Sequence, residues 1–179
     1  NLPFNRLVSS ITPDLDRYFG ELVTARGGRW QPPQVHAGTQ IPGCSIDQGP
    51  AGFCPDEDAI ELDSVEQLPQ LHAEIGDYST GTLLASRYSL AALDALGRPT
   101  EGESARRDAL CLAGTYTGTL LQREGGFGLS PGDLDEAVQV LLGYDYGSRD
   151  AAGDGLPSGF ARVGEFRAGT LDGVAACGL

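Results

Sequence analysis

Apolar residues recur at helical spacing along most of this chain, with short alternating stretches between. From Asp14 to Arg26 the positions Leu15, Tyr18, Phe19, Leu22 and Val23 fall on one side of a 3.6-residue repeat, which predicts an amphipathic helix. Gly27 and Gly28 stop it, and Trp30-Gln31-Pro32-Pro33 begins an extended stretch. Gln34 to Thr39 suits a strand, and Ile41 to Cys54 reads as a Gly/Pro-rich loop. Asp58 to Asp63 alternates, with Ile60 and Leu62 on one face, as a half-buried strand does. Ser64 to Gly76 predicts a helix interrupted by Pro69. Two long helices follow, Tyr78 to Leu96 and Glu103 to Gln122, the first ended by Gly97-Arg98-Pro99 and the second by Gly125-Gly126. A third runs from Leu134 to Leu142, with Ser130 as N-cap and Pro131 at its first position. Gly147 to Gly155 reads as a flexible loop, and Phe160 to Gly169 as a final helix. The sum is a mainly helical α+β domain with a small sheet in its N-terminal half. Residues 14–179 form one domain, and residues 1–13 are expected to be an arm or linker from a longer precursor.

Composition narrows the function. The formal charge is −13, all twelve basic residues are Arg, and Lys and Met are absent. An acidic chain is a poor partner for nucleic acid, whose phosphates need a basic face. It is equally poorly suited to adsorb on an anionic membrane. No stretch approaches the roughly 18 apolar residues of a membrane span, so a membrane anchor is expected only upstream of Asn1.

The cysteines bear on compartment. Cys44, Cys54, Cys111 and Cys177 contain no CxxC pair, and His36 and His72 are the only histidines, so a structural zinc site is poorly supplied. An even number at wide spacing favours two disulfides and an extracytoplasmic, oxidising location. Cys44–Cys54 would close a short loop and Cys111–Cys177 would pin the C-terminus to a helix; this is one of three connectivities that spacing alone leaves open.

A series of landmarks resembles the neutral zinc metallopeptidases that carry an HExxH helix. Trp30, Pro33 and Cys44 precede Gly49-Pro50-Ala51-Gly52-Phe53-Cys54-Pro55, similar to that family's GPFYCP-type segment with one extra residue, and then Asp58 to Asp63. Gly76-Asp77-Tyr78 resembles the Gly-Asp-Phe that opens the family's active-site helix, and Ala109 to Gly114 its ADCxAG segment. Pro131 to Ala137, and Arg162-Val163, Phe166-Arg167, Gly169 and Ala176-Cys177, resemble its later landmarks. The likeness runs from about Asp14 to Cys177 and implies a minimal zincin-like fold, a small sheet beside two long metal-bearing helices.

Departures from that pattern decide the expected activity. In HExxH the histidines at i and i+4 share one helical face and one zinc, with the Glu as base. Here the motif falls on Ser86-Arg87-Tyr88-Ser89-Leu90, so Ser86 and Leu90 replace the histidines and Arg87 replaces the Glu. Arg106 stands where the resemblance places the third ligand, Leu110 replaces the Asp of ADC, and the family's C-terminal His-Gly falls on Leu156-Pro157. Two cations at the ancestral position would repel Zn²⁺. The resemblance therefore implies a pseudo-peptidase with no cofactor, a protein-binding or scaffolding module of the bacterial cell envelope whose partner is another envelope protein. The alternative is a hydrolase with a rebuilt, non-HExxH site.

Remaining chemistry is sparse. Arg87 and Arg106, with Arg107, form the one cationic group suited to holding an anion or a partner carboxylate; pairing with Asp77, Asp108 or Glu103 inside the domain is the plainer expectation. His36 and His72 would need folding to bring them together before they could share a metal. Asp56-Glu57-Asp58 and Asp133-Asp135-Glu136 read as a strand start and a helix N-terminus. Ser79, Ser86 and Ser89 have no base nearby in sequence. Gly125-Gly126-Phe127-Gly128 lacks the Lys and Ser/Thr of a phosphate loop and reads as a turn.

Overall fold

A computed structural model describes residues 1–38, 46–124 and 127–179. Six helices and a three-stranded sheet make up the described chain, an α+β arrangement. Helix α1 spans Phe4–Ala25, and its buried stripe is Leu7, Ile11, Leu15, Phe19, Leu22 and Val23. The helix therefore starts ten residues before the expected Asp14, and residues 4–13 belong to the domain rather than to an arm. Pro13 does not stop it, because the ring lies on the exposed face and only the outward-facing ladder loses a hydrogen bond.

Strands β1 (Gln34–Ala37), β2 (Ala51–Cys54) and β3 (Ala59–Leu62) form the sheet in the order β1-β3-β2. β1 runs parallel to β3 with Val35 opposite Ile60, and β2 runs antiparallel with Phe53 opposite Ile60. β2 emerges from the stretch expected to be loop, since all four of its residues are buried and no alternation marks it. Helix α2 (Gln67–Glu74) carries Pro69 at its third position without a break, because the first-turn N–H groups have no intrahelical partner to lose.

Helices α3 (Asp77–Ala95) and α4 (Glu103–Leu121) are the central pair. From Asp77 to Leu93 every residue of α3 is buried, so this helix is apolar or internally satisfied all round. Helix α5 (Asp133–Gly143) has Gly132 as its N-cap, and Ser130 serves differently from expectation: its N–H and hydroxyl donate to the Asp133 carboxylate. Helix α6 (Gly159–Asp172) is capped by Ser158, whose hydroxyl accepts from the Ala161 N–H.

Helices α4 and α6 meet backbone to backbone. A Cβ on Gly169 would lie 1.9 Å from the Cys111 carbonyl oxygen, and one on Gly114 would lie 2.0 Å from the Phe166 carbonyl oxygen. Only glycine permits that approach. Cys111 and Cys177 form a disulfide across the same region, as one of the open connectivities anticipated. The other expected pairing, Cys44–Cys54, involves Cys44, which lies outside the described residues, as do Thr39, Ile41 and Gly125-Gly126; Cys54 is disulfide-bonded.

The Cys111–Cys177 bridge spans 66 residues, for which the loop-entropy relation gives about 4 kcal/mol. Replacing both cysteines by Ala is expected to lower unfolding free energy by up to that amount in a denaturant titration. An unchanged midpoint would show that helix packing alone holds the C-terminus.

Candidate functional site

The positions singled out on α3 and α4 lie at the centre of the fold. Ser86 and Leu90 are fully buried on α3, and the Ser86 hydroxyl donates to the Leu83 carbonyl at 2.7 Å. Arg87, one residue on, is 1% exposed, and its guanidinium is surrounded by acceptors. Nε donates to the Ser86 hydroxyl at 3.2 Å and Nη1 to Gln48 Oε1 at 2.8 Å. Nη2 donates to two carbonyls, Gly147 at 3.2 Å and Arg149 at 2.7 Å.

Gln48 works in two directions. Its Oε1 also accepts the Phe53 N–H at 2.8 Å, while its Nε2 donates to the Phe53 carbonyl at 2.7 Å. The side-chain amide thus pairs with β2 as a strand would, covering the sheet edge at Phe53 and passing one oxygen on to Arg87.

Burial is the main force on the Arg87 guanidinium. With the charge of Arg149 acting in the same sense and Asp150 against it, burial pushes the group down to about 9. It remains charged at neutral pH. Its described hydrogen-bond partners are a hydroxyl, an amide oxygen and two carbonyls.

Arg106, on α4, is about a quarter exposed and is bound from the other side of the same loop. Its Nε donates to Asp150 Oδ2 at 3.0 Å, and Nη2 lies 3.7 Å from Asp154. The internal ion pair is present, but with Asp150 and Asp154 rather than Asp77, Asp108 or Glu103. Asp150, 1% exposed, is the hub: it also accepts the N–H groups of Gly102, Ala152 and Asp154. The stretch from Gly147 to Gly155, expected to be a flexible loop, is therefore pinned by Arg87 within and by Asp150 along its length. Nothing in the residue pattern marked Asp150, since a lone Asp in a Gly-rich segment is ordinary turn chemistry. Arg107 pairs instead with Glu103 and Glu165 at the surface.

A second arginine, Arg162 of the Arg162-Val163 landmark, is buried as well. Arg162 donates to the carbonyls of Leu141 at 2.6 Å, Leu156 at 2.7 Å and Leu142 at 3.1 Å, so it caps the C-terminal end of α5.

The other candidates resolve as follows. Ser79, Ser86 and Ser89 all donate to carbonyls of their own helix or its start. His36 is exposed on β1 beside Gln34, while His72 on α2 bonds Thr80 and the Leu2 carbonyl. Neither belongs to a metal-ligand cluster among the described residues. The set with suitable donors for a cation is Asp77, Asp133 and Glu136, whose ligand oxygens lie within 4.8 Å of one another. Two of them came from the acidic helix start, and Asp77 arrives from the Gly-Asp opening of α3. These carboxylates already hold chain segments: Asp77 accepts the Leu2 N–H, Asp133 accepts from Ser130, and Glu136 accepts the Tyr78 N–H at 2.8 Å. Burial, and then the charges of Asp77 and Asp133, raise the Glu136 carboxyl above its ordinary range despite the Tyr78 bond. No protein-family model, curated protein or solved structure matches the chain.

Removing the Arg87 fork deprives the Gly147 and Arg149 carbonyls of their guanidinium donor and leaves Gln48 Oε1 with the Phe53 N–H alone. Arg87→Met is expected to cost about 2–4 kcal/mol of stability by denaturant titration, with Arg106→Met costing less because it is part-exposed. Equal effects would locate the constraint elsewhere. Glu136, being raised in the folded state, favours the folded protein most when protonated, and that contribution fades as pH climbs through its folded value. The melting temperature of Glu136→Gln should therefore exceed that of the unaltered protein at pH 7, and the gap should close as pH falls through the raised folded value towards the ordinary 4.5. A gap that widens on acidification would contradict this assignment.

Proposed function

We propose that this domain is a catalytically inactive relative of the HExxH metallopeptidases that serves as a protein-binding module on the extracytoplasmic side of the bacterial cell envelope. One observation supports it above the others. At the position the resemblance assigns to the catalytic Glu stands a buried arginine whose donors are committed to Ser86, Gln48, Gly147 and Arg149. A cation held there repels a second cation and leaves no base to activate water.

The neighbouring geometry agrees. A peptide substrate commonly adds to a free sheet edge, and at Phe53 that edge is taken by Gln48. The Cys111–Cys177 disulfide suggests an oxidising, non-cytoplasmic environment, and no helix of the described residues is long and apolar enough to cross a membrane. A rebuilt metal-dependent hydrolase site among the described residues would draw on Asp77, Asp133 and Glu136, whose carboxylates hold Leu2, Ser130 and Tyr78 in place.

Elemental analysis of the purified protein, followed by incubation of added zinc with a quenched fluorescent peptide library, tests the reading. Zinc well below one equivalent and no cleavage are expected. One bound zinc per chain together with zinc-dependent hydrolysis would overturn it.

A further inference from the structure

The Arg87 cage has an outer face. Gly147 and Arg149, whose carbonyls Arg87 holds, directly follow the segment that carries Tyr144 and Tyr146. There the two rings stack at 5.0 Å with planes 13° apart, and the Arg149 guanidinium lies 4.9 Å from the centre of the Tyr146 ring. Gly49 presses on the same ring so closely that a Cβ there would lie 2.4 Å from Tyr146 Cδ1. The Tyr146 ring is thus fixed from several directions, and Tyr144 remains 36% exposed beside it.

These rings form one wall of an open groove of about 100 Å³; the other wall is α2, with Gln67, Gln70, Leu71 and Glu74. The Glu74 carboxylate is the only formal charge lining it. Gln70 Nε2 donates to Glu74 Oε1 at 2.9 Å, one bond on a group that accepts several. Arg149, which lies over the Tyr146 ring, has its own charge offset by Asp145 at 3.0 Å and Asp47 at 3.5 Å. The groove therefore offers π-faces, amide oxygens and a negative charge.

That chemistry selects a flat cation. Aromatic faces attract a guanidinium, and the Arg149–Tyr146 pair is an instance of that contact within the same stack. Carboxylate and amide oxygens alongside take its N–H fork. We propose that the groove between α2 and the Tyr144–Tyr146 segment docks an arginine side chain of a partner protein, which rests on the binding-module reading and names its site. The domain's charge of −13 brings a basic segment to this surface faster than a neutral one. A rigid ring platform costs little ordering on binding, as hot-spot tyrosines do at interfaces.

The probe is a short blocked peptide with one central arginine, titrated into the isotopically labelled protein and followed by amide chemical shifts. Its neutral isostere with citrulline serves as the reference. Shifts are expected to centre on Gln67, Gln70, Tyr144 and Tyr146, with the citrulline peptide about tenfold weaker, as loss of a charge-assisted fork implies. Tyr144→Ala and Glu74→Gln, both at exposed positions, should each weaken binding about fivefold, while Glu21→Gln on α1 should leave it unchanged. Equal binding of the two peptides, shifts centred elsewhere, or indifference to Tyr144→Ala would overturn the proposal. So would tighter binding of a neutral probe, chitotetraose, at the same residues, which would make the groove a glycan site. Zinc uptake and peptide cleavage, the result that sinks the binding-module reading, are measured separately and leave this titration interpretable.

Discussion

Enclosing the Arg87 guanidinium is the constraint around which the rest is arranged. A buried cation is tolerated only where its N–H groups find acceptors of matching geometry, and here all but the adjacent Ser86 come from distant parts of the chain. Gln48 precedes β2, Ser86 lies on α3, and Gly147 and Arg149 follow α5. Satisfying one side chain thus fixes the sheet edge, the central helix and the segment beyond α5 relative to one another. The same bonds that fill the interior also set the orientation of the tyrosine stack outside.

Arginine does related work elsewhere. Arg162 joins two carbonyls at the end of α5 to that of Leu156, and Arg106 meets the carboxylate of Asp150, which in turn organises the backbone around it. A planar fork can bridge turns in this way because its donors point in several fixed directions at once. A lysine ammonium, with a single compact head, would reach one or two of those acceptors and leave the others dry. In this chain the complete preference for Arg over Lys has at least these consequences inside the fold.

Much of the framework could be read from periodicity. Helices α3 and α4 fall within a residue or two of where their apolar spacing put them, because their stripes are long enough to outweigh local noise. Arg87 and Arg106 stood out because they occupy the catalytic-Glu and third-ligand positions of the resemblance, and both bond the Gly147–Gly155 stretch. Their partners were not legible. Gln48 and Asp150 are common residues in Gly-rich segments, and their roles depend on contacts 39 and 44 positions away along the chain. β2 was hidden because a strand buried on both faces has no alternation, and the first turns of α1 because Pro13 looks like a boundary until its exposed side is known. The groove is legible only in three dimensions, since α2 and the Tyr144–Tyr146 segment are far apart in sequence.

The glycine-lined seam between α4 and α6 has a bearing on how the chain matures. With Gly169 against the Cys111 carbonyl and Gly114 against that of Phe166, the C-terminal turn is carried to Cys111 by a docked α6. In the folded chain the bridge therefore joins a helix pair whose close approach the glycines permit. A molecule that misplaces α6 keeps two reduced thiols far apart, so thiol labelling during biogenesis would distinguish mature copies from those still searching.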